Sequence, residues 1–245
     1  MMKTEPAVEL EHVSASLERG EKVEDVSLVV RRAESVALLG GSGSGKTVAL
    51  RVAAGLEEIS SGTVRLLGED PMDLSGDEYV NLRRRVGVVF DRPALISNMS
   101  VFSNVALPLR YHTPGSDRQI EERVMEALRE WGVEAFRDRF PAELAPADAR
   151  LVAMARALMF DPEILFIDEM VIGLDAWGVA RLRAFFEKTR AQGVKTIVAS
   201  ASAPNSLLQL MDRLLFFREG RIITEGKPSE LSKATDPTVQ ALFGT

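Results

Sequence analysis

The sequence contains no cysteine, which excludes both a disulfide framework and a thiolate metal site. Only two histidines are present, leaving little for a zinc site. No stretch of about 18 apolar residues runs uninterrupted, so no spanning helix is expected. The opening residues MMKTEPAVELE lack the apolar core of a secretory leader. These absences predict a cytoplasmic chain that reaches a membrane only through a partner protein. A basic excess is missing as well. Lys and Arg number 30 against 36 Asp and Glu, a formal charge of −6. A general nucleic-acid binder needs a basic surface to neutralise phosphates, so nucleic acid is not an expected partner.

The 46% hydrophobic and 27% charged shares are those of an ordinary globular protein. A chain of 245 residues can bury one substantial core with a subdomain, or two small ones. Gly and Pro are scattered rather than gathered into a linker, which predicts a single domain over 1–245. β-prone runs at 7–13, 23–30 and 63–67 suit an antiparallel layer near the N-terminus. Short apolar runs at 35–39, 86–90, 164–167, 196–199 and 213–217 read as strands buried on both faces of a parallel sheet. Helical spacing relates Ile120, Val124, Ala127, Leu128 and Trp131, and again Val179, Leu182 and Phe185. Residues 91–160 lack a convincing strand and contain Pro93, Pro108, Pro114, Pro141 and Pro146. They read as a helical subdomain inserted between the sheet-containing segments 1–90 and 161–245, in a doubly wound α/β arrangement with an antiparallel flap.

One motif is specific. Gly40-Gly41-Ser42-Gly43-Ser44-Gly45-Lys46-Thr47 satisfies G-x-x-x-x-G-K-[ST] between an apolar run and the helical segment that Val48 opens. Glycines let backbone N–H groups converge on phosphates, and a helix N-terminus adds a favourable dipole. Lys46 would reach the β and γ phosphates and Thr47 would ligate Mg2+, making 40–48 the expected ATP-binding segment. A second run, Ile164 to Ile167, ends in Asp168 and Glu169, where open α/β sheets place their ligands. With the phosphate loop upstream, Asp168 is expected in the metal shell. Glu169 is expected to polarise the attacking water, with Lys46 as the second catalytic group.

Segment 144–158, followed by Asp161-Pro162-Glu163 and the carboxylate strand, resembles the signature helix and Walker B strand of ABC transporter ATPases. The resemblance covers nearly the whole chain and implies the P-loop NTPase fold of ABC type. It also implies an ATPase that works as a homo- or heterodimer of nucleotide-binding subunits and drives transmembrane permease subunits from the inner face of the membrane. Segments 102–110 and 236–243 look most like the Mla-type branch, which implies phospholipid transport. The family's docking surface for a membrane subunit would fall near 91–108.

Several family positions are altered. The signature Leu-Ser-Gly-Gly-Gln aligns with Leu144-Ala145-Pro146-Ala147-Asp148, so the serine hydroxyl and a glycine N–H are lost. The Q-loop glutamine is Asp91, whose oxygen could still ligate magnesium. The switch histidine is replaced by Ala201, and Leu17 stands near the position of the base-stacking aromatic. Losing a transition-state donor costs about a hundredfold or more in rate, so slow hydrolysis is expected. Two functions stay open: an ATPase subunit, and a nucleotide-binding structural or regulatory subunit with little turnover.

Overall fold

The computed structural model describes residues 5–17, 20–112, 116–193 and 195–231. Among the described residues nine strands form two sheets. β1 (Pro6–Ser16) pairs antiparallel with β2 (Lys22–Arg31) and with β4 (Ser61–Leu66). β2 alternates buried and exposed residues, the signature of a sheet with one solvated face. β1 and β2 outrun the expected runs, and irregular pairing between them accommodates two residues of positive φ, His12 (51°) and Asp25 (53°).

The second sheet has the order β5-β6-β7-β3-β8-β9. β3 (Ser35–Leu39), β5 (Val86–Val89), β6 (Ile164–Ile167), β7 (Thr196–Ala201) and β8 (Arg213–Arg218) pair in parallel, as their unbroken apolar runs imply. Consecutive residues serve opposite layers. Leu165 and Ile167 pack with the helical side, while Ile164 and Phe166 pack toward β1, β2 and β4. That two-sided burial leaves no polar alternation to read. The sixth strand, β9 (Arg221–Gly226), runs antiparallel to β8 and makes the sheet mixed rather than wholly parallel. Its turn is Glu219-Gly220, with φ of 50° and 77°, the two-residue pattern whose twist matches a hairpin.

The helices are α1 (Lys46–Ala53), α2 (Gly76–Arg84), α3 (Val101–His112), α4 (Asp117–Trp131), α5 (Pro146–Ala157), α6 (Ala176–Gln192) and a short α7 (Pro228–Leu231). Between β5 and β6 the described residues hold α3, α4 and α5 and no strand. α4 starts at a capping box between Ser116 and Gln119 and stops at Gly132 (φ 66°), burying Ile120, Val124, Leu128 and Trp131. Of the prolines expected to interrupt this region, Pro108 lies inside α3, and Pro146 occupies the first turn of α5, where its missing N–H costs nothing. Buried Asn104 of α3 stitches the preceding loop. Its Oδ1 accepts from the N–H of Ile96 (2.7 Å), and its Nδ2 lies 3.1 Å from each of the carbonyls of Ile96, Met99 and Ser100. Among the described residues no helix is long and apolar enough to cross a membrane.

Candidate functional site

β3 is buried along its whole length and delivers the loop that follows it to the N-terminus of α1. Two glycines are required there. A Cβ on Gly40 (φ 150°) would sit 2.3 Å from the carbonyl oxygen of Phe217 at the end of β8. One on Gly45 (φ 98°) would sit 2.7 Å from the carbonyl of Lys22. The opposite side of the loop is open: Cβ atoms on Gly41 and Gly43 would meet nothing within 4 Å, and Ser42 is exposed. Gly45 caps α1 without a side-chain acceptor, and the first turn carries no acidic residue. That helix end therefore faces outward with its positive dipole uncompensated, the arrangement that receives an anion. Val48 packs into the apolar layer beneath, so only its main chain belongs to the loop.

Lys46 is 4% exposed. Its Nζ donates to the carbonyl of Gly41 (2.9 Å) and lies 3.4 Å from Ser44 Oγ and 3.8 Å from Glu169 Oε1. Burial lowers its pKa below the ordinary lysine value, and the carboxylates of Glu169 and Asp168 oppose that shift. A buried ammonium with one short contact, to a main-chain oxygen, has the chemistry to exchange that contact for an anion.

β6 ends at the two carboxylates. Asp168 is fully buried; its Oδ1 accepts from Ser200 Oγ (2.7 Å) and from Thr47 Oγ1 (3.1 Å). Its Oδ2 is buried with no hydrogen-bond partner. Burial pushes the Asp168 pKa up, the bonds from Ser200 and Thr47 pull it down, and nearby Asp91 and Glu169 push it up further. Glu169 has a positive φ of 50°, and its N–H donates to Ser200 Oγ (2.7 Å). Its carboxylate accepts from the Ser202 hydroxyl and from the Ser202 N–H (3.0 Å). The structure thus brings Lys46, Thr47, Asp168 and Glu169 together from the start of α1 and the end of β6, 121 residues apart at Thr47 and Asp168.

Asp91 follows β5 on the same edge. Its Oδ1 lies 4.0 Å from the Arg51 guanidinium, with its side chain 40% exposed. Arg150 of α5, which sequence reasoning did not single out, ties these pieces together. Its Nη1 donates to the carbonyls of Phe90 (2.8 Å) and Asp91 (3.0 Å), and its Nη2 to those of Asp168 (2.6 Å) and Glu169 (2.7 Å). At 2% exposure it is a buried charge neutralised only by carbonyl dipoles and the nearby carboxylates. Its only signal in the sequence is an arginine ahead of the apolar run from Leu151 to Ala155.

The altered family positions are also placed. Ala145 caps α5 without a side-chain bond, and Asp148 lies in its first turn. Burial raises the Asp148 pKa, Asp175 adds to that, and Arg139 opposes it. Ala201 is buried in the apolar layer beneath α5 and α6, and Leu17 is half-buried against the layer beneath α1. Segment 236–243 lies outside the described residues.

These residues fit a magnesium nucleotide. No group of three or more His, Cys, Asp or Glu able to hold a metal occurs among the described residues, so a cation here needs oxygen from elsewhere. Mg2+ is characteristically held by one or two carboxylates together with substrate phosphates and water. The unpartnered Asp168 Oδ2 beside Thr47, at the edge of an open glycine-rich loop, has the chemistry such a half-site requires.

Comparison with known proteins agrees. The chain is 36% identical over 228 residues to the sulfate/thiosulfate import ATP-binding protein CysA of Bacillus cereus, covering 92% of this chain and 62% of that protein. It is 31% identical over 230 residues to the spermidine/putrescine import ATP-binding protein PotA of Haemophilus influenzae, covering 94% and 60%. The chain therefore spans about three-fifths of the length of these curated relatives. Among solved structures, the ATP-binding cassette MJ0796 in its dimeric post-hydrolysis state with ADP and Pi superposes with a TM-score of 0.82 at 28% identity, covering 90% of this chain and 98% of that one. Residues 23–171 match the family profile described as ABC transporter. With the phosphate loop and the carboxylate strand inside that match, the chain belongs to the ABC transporter family as an ATP-binding domain.

Proposed function

We propose that this chain is the ATP-hydrolysing subunit of an importer, working as one of two nucleotide-binding subunits beneath transmembrane permease subunits. In this reading 1–245 is one nucleotide-binding domain, with 91–160 as its helical subdomain and 1–90 and 161–245 as its core. The observation that carries it is the buried, half-satisfied Asp168 held by Thr47 at the mouth of the phosphate loop. Residues 40–48 would bind the triphosphate and Thr47 and Asp168 would hold Mg2+, with Asp91, whose charge acts on Asp168, as a further candidate oxygen donor. Bound Mg2+ supplies charge neutralisation for the transferred phosphoryl group. Lys46 leaves Gly41 for the phosphates, and Glu169 orients water and accepts its proton.

A cleft of about 520 Å³ supports a permease partner. Val80, Val88, Leu107 and Pro108 line it between α2, β5 and α3, together with Arg83 and Arg156. Those two guanidiniums donate to the carbonyls of Ala54, Ala94 and Pro93 rather than to carboxylates, leaving positive charge for an acidic side chain. A short amphipathic helix carrying a carboxylate is the occupant of matching chemistry.

For the cargo, a small charged solute is favoured over phospholipid. The relatives above are named for sulfate/thiosulfate and spermidine/putrescine import. A second reading, a nucleotide clamp with little turnover, draws on Ala145, Pro146 and Ala201. The test is steady-state phosphate release by the chain assembled with its permease subunits, beside Lys46→Ala and Glu169→Gln. Turnover lost in both variants is expected; turnover equal to both would leave the clamp.

A further inference from the structure

The end of β7 and the residue after it serve both carboxylates: the hydroxyls of Ser200 and Ser202 each reach one of them, while Ala201 between them packs into the apolar layer. Ser200 is fully buried and holds Asp168 and the main chain of Glu169. Ser202, one residue beyond the strand, holds the Glu169 side chain by both oxygens: its hydroxyl donates to Oε1 and its N–H to Oε2 (3.0 Å).

A free glutamate tip samples several rotamers, and a productive proton acceptor must be held in one geometry. Here two charge-assisted bonds from one residue do that, and they leave Oε1 3.8 Å from the Lys46 ammonium. The carboxylate therefore stands beside the group that receives phosphate, at a site whose switch histidine is replaced by alanine. We propose that Ser202 is the positioning residue for Glu169, and that turnover depends on its hydroxyl. This rests on the reading of the chain as an ATPase.

The experiment measures kcat and KM for ATP with the full chain and its permease subunits, for wild type, Ser202→Ala, Ser202→Thr, Glu169→Gln and the Ser202→Ala/Glu169→Gln double variant. Loss of the hydroxyl with retention of the N–H is expected to lower kcat about tenfold and leave KM within about twofold, since misplacing a reacting group by about an ångström costs up to a hundredfold. Ser202→Thr keeps a hydroxyl at a half-buried position and is expected to restore turnover. In the Glu169→Gln background Ser202→Ala is expected to cost nothing further, because the two side chains act as one unit. An unchanged or faster Ser202→Ala enzyme overturns the proposal, as does a parallel rise in KM or failure of threonine to rescue. Wild-type turnover no greater than that of Glu169→Gln would instead sink the ATPase reading, and the positioning role with it.

Discussion

Replacing Arg150 by methionine removes a charge whose four hydrogen bonds, at 2.6 to 3.0 Å, all end on main-chain carbonyls. Hydrogen bonds from a charged group contribute about 1.5–3 kcal/mol each, so the gross loss is about 6–12 kcal/mol. Against this stands the cost of keeping a guanidinium out of water, several kcal/mol, which methionine does not incur. The net destabilisation expected is about 3–5 kcal/mol, the range for breaking a buried charged network. In a chain of this length each kcal/mol moves the melting midpoint by about 2–4 °C, which predicts a drop of about 6–20 °C. Differential scanning calorimetry of the nucleotide-free protein measures it. Arg150→Lys keeps the charge but cannot fork between two carbonyl pairs, and should fall between the two. A methionine variant melting within about 2 °C of wild type would refute the claim that this side chain joins α5 to the ends of β5 and β6.

Two further predictions concern single buried groups. Asp168 has a raised folded-state pKa, so between the ordinary carboxylate value and that raised value the folded protein holds more protons than the unfolded chain. Stability of the metal-free protein should therefore fall as pH rises through that window. Asp168→Asn should remove this slope and raise stability at neutral pH while abolishing Mg2+-dependent nucleotide binding; urea titrations at several pH values giving parallel slopes for both proteins would contradict it. Asn104→Ala leaves Ile96, Met99 and Ser100 without their buried partner and is expected to cost about 2–4 kcal/mol, read as a lowered urea midpoint at unchanged m-value. A cost below about 0.5 kcal/mol would show that the loop at 96–100 does not depend on it.

The limits of sequence reading follow residue by residue. The P-loop was legible because its function demands glycines at fixed spacing: the approach of Phe217 to Gly40 admits no Cβ, and a lysine and threonine must follow at the helix start. Strand β9 leaves little signal in the sequence because its residues are only partly buried or exposed and its pairing is confined to the sheet edge, where apolar pressure is weak. Pro108 reads as an interruption in the sequence, yet α3 runs through it.

What the sequence by itself determined was local and chemical: the phosphate loop, the strand ending in Asp168 and Glu169, the apolar runs of the sheet, and the helical stripes. Each is set by neighbours within a few turns of chain, by spacing and by residue type. Only the tertiary structure decided which groups meet. Thr47 and Asp168 become hydrogen-bonded partners because β3 and β6 lie on either side of β7 in one sheet. Ser200 and Ser202 acquire their carboxylates, and Arg150 its four carbonyls, through parallel register and helix packing. A hydroxyl or a guanidinium carries no mark of its eventual acceptor; burial removes water as the alternative and leaves whatever acceptor the packing brings within 3 Å.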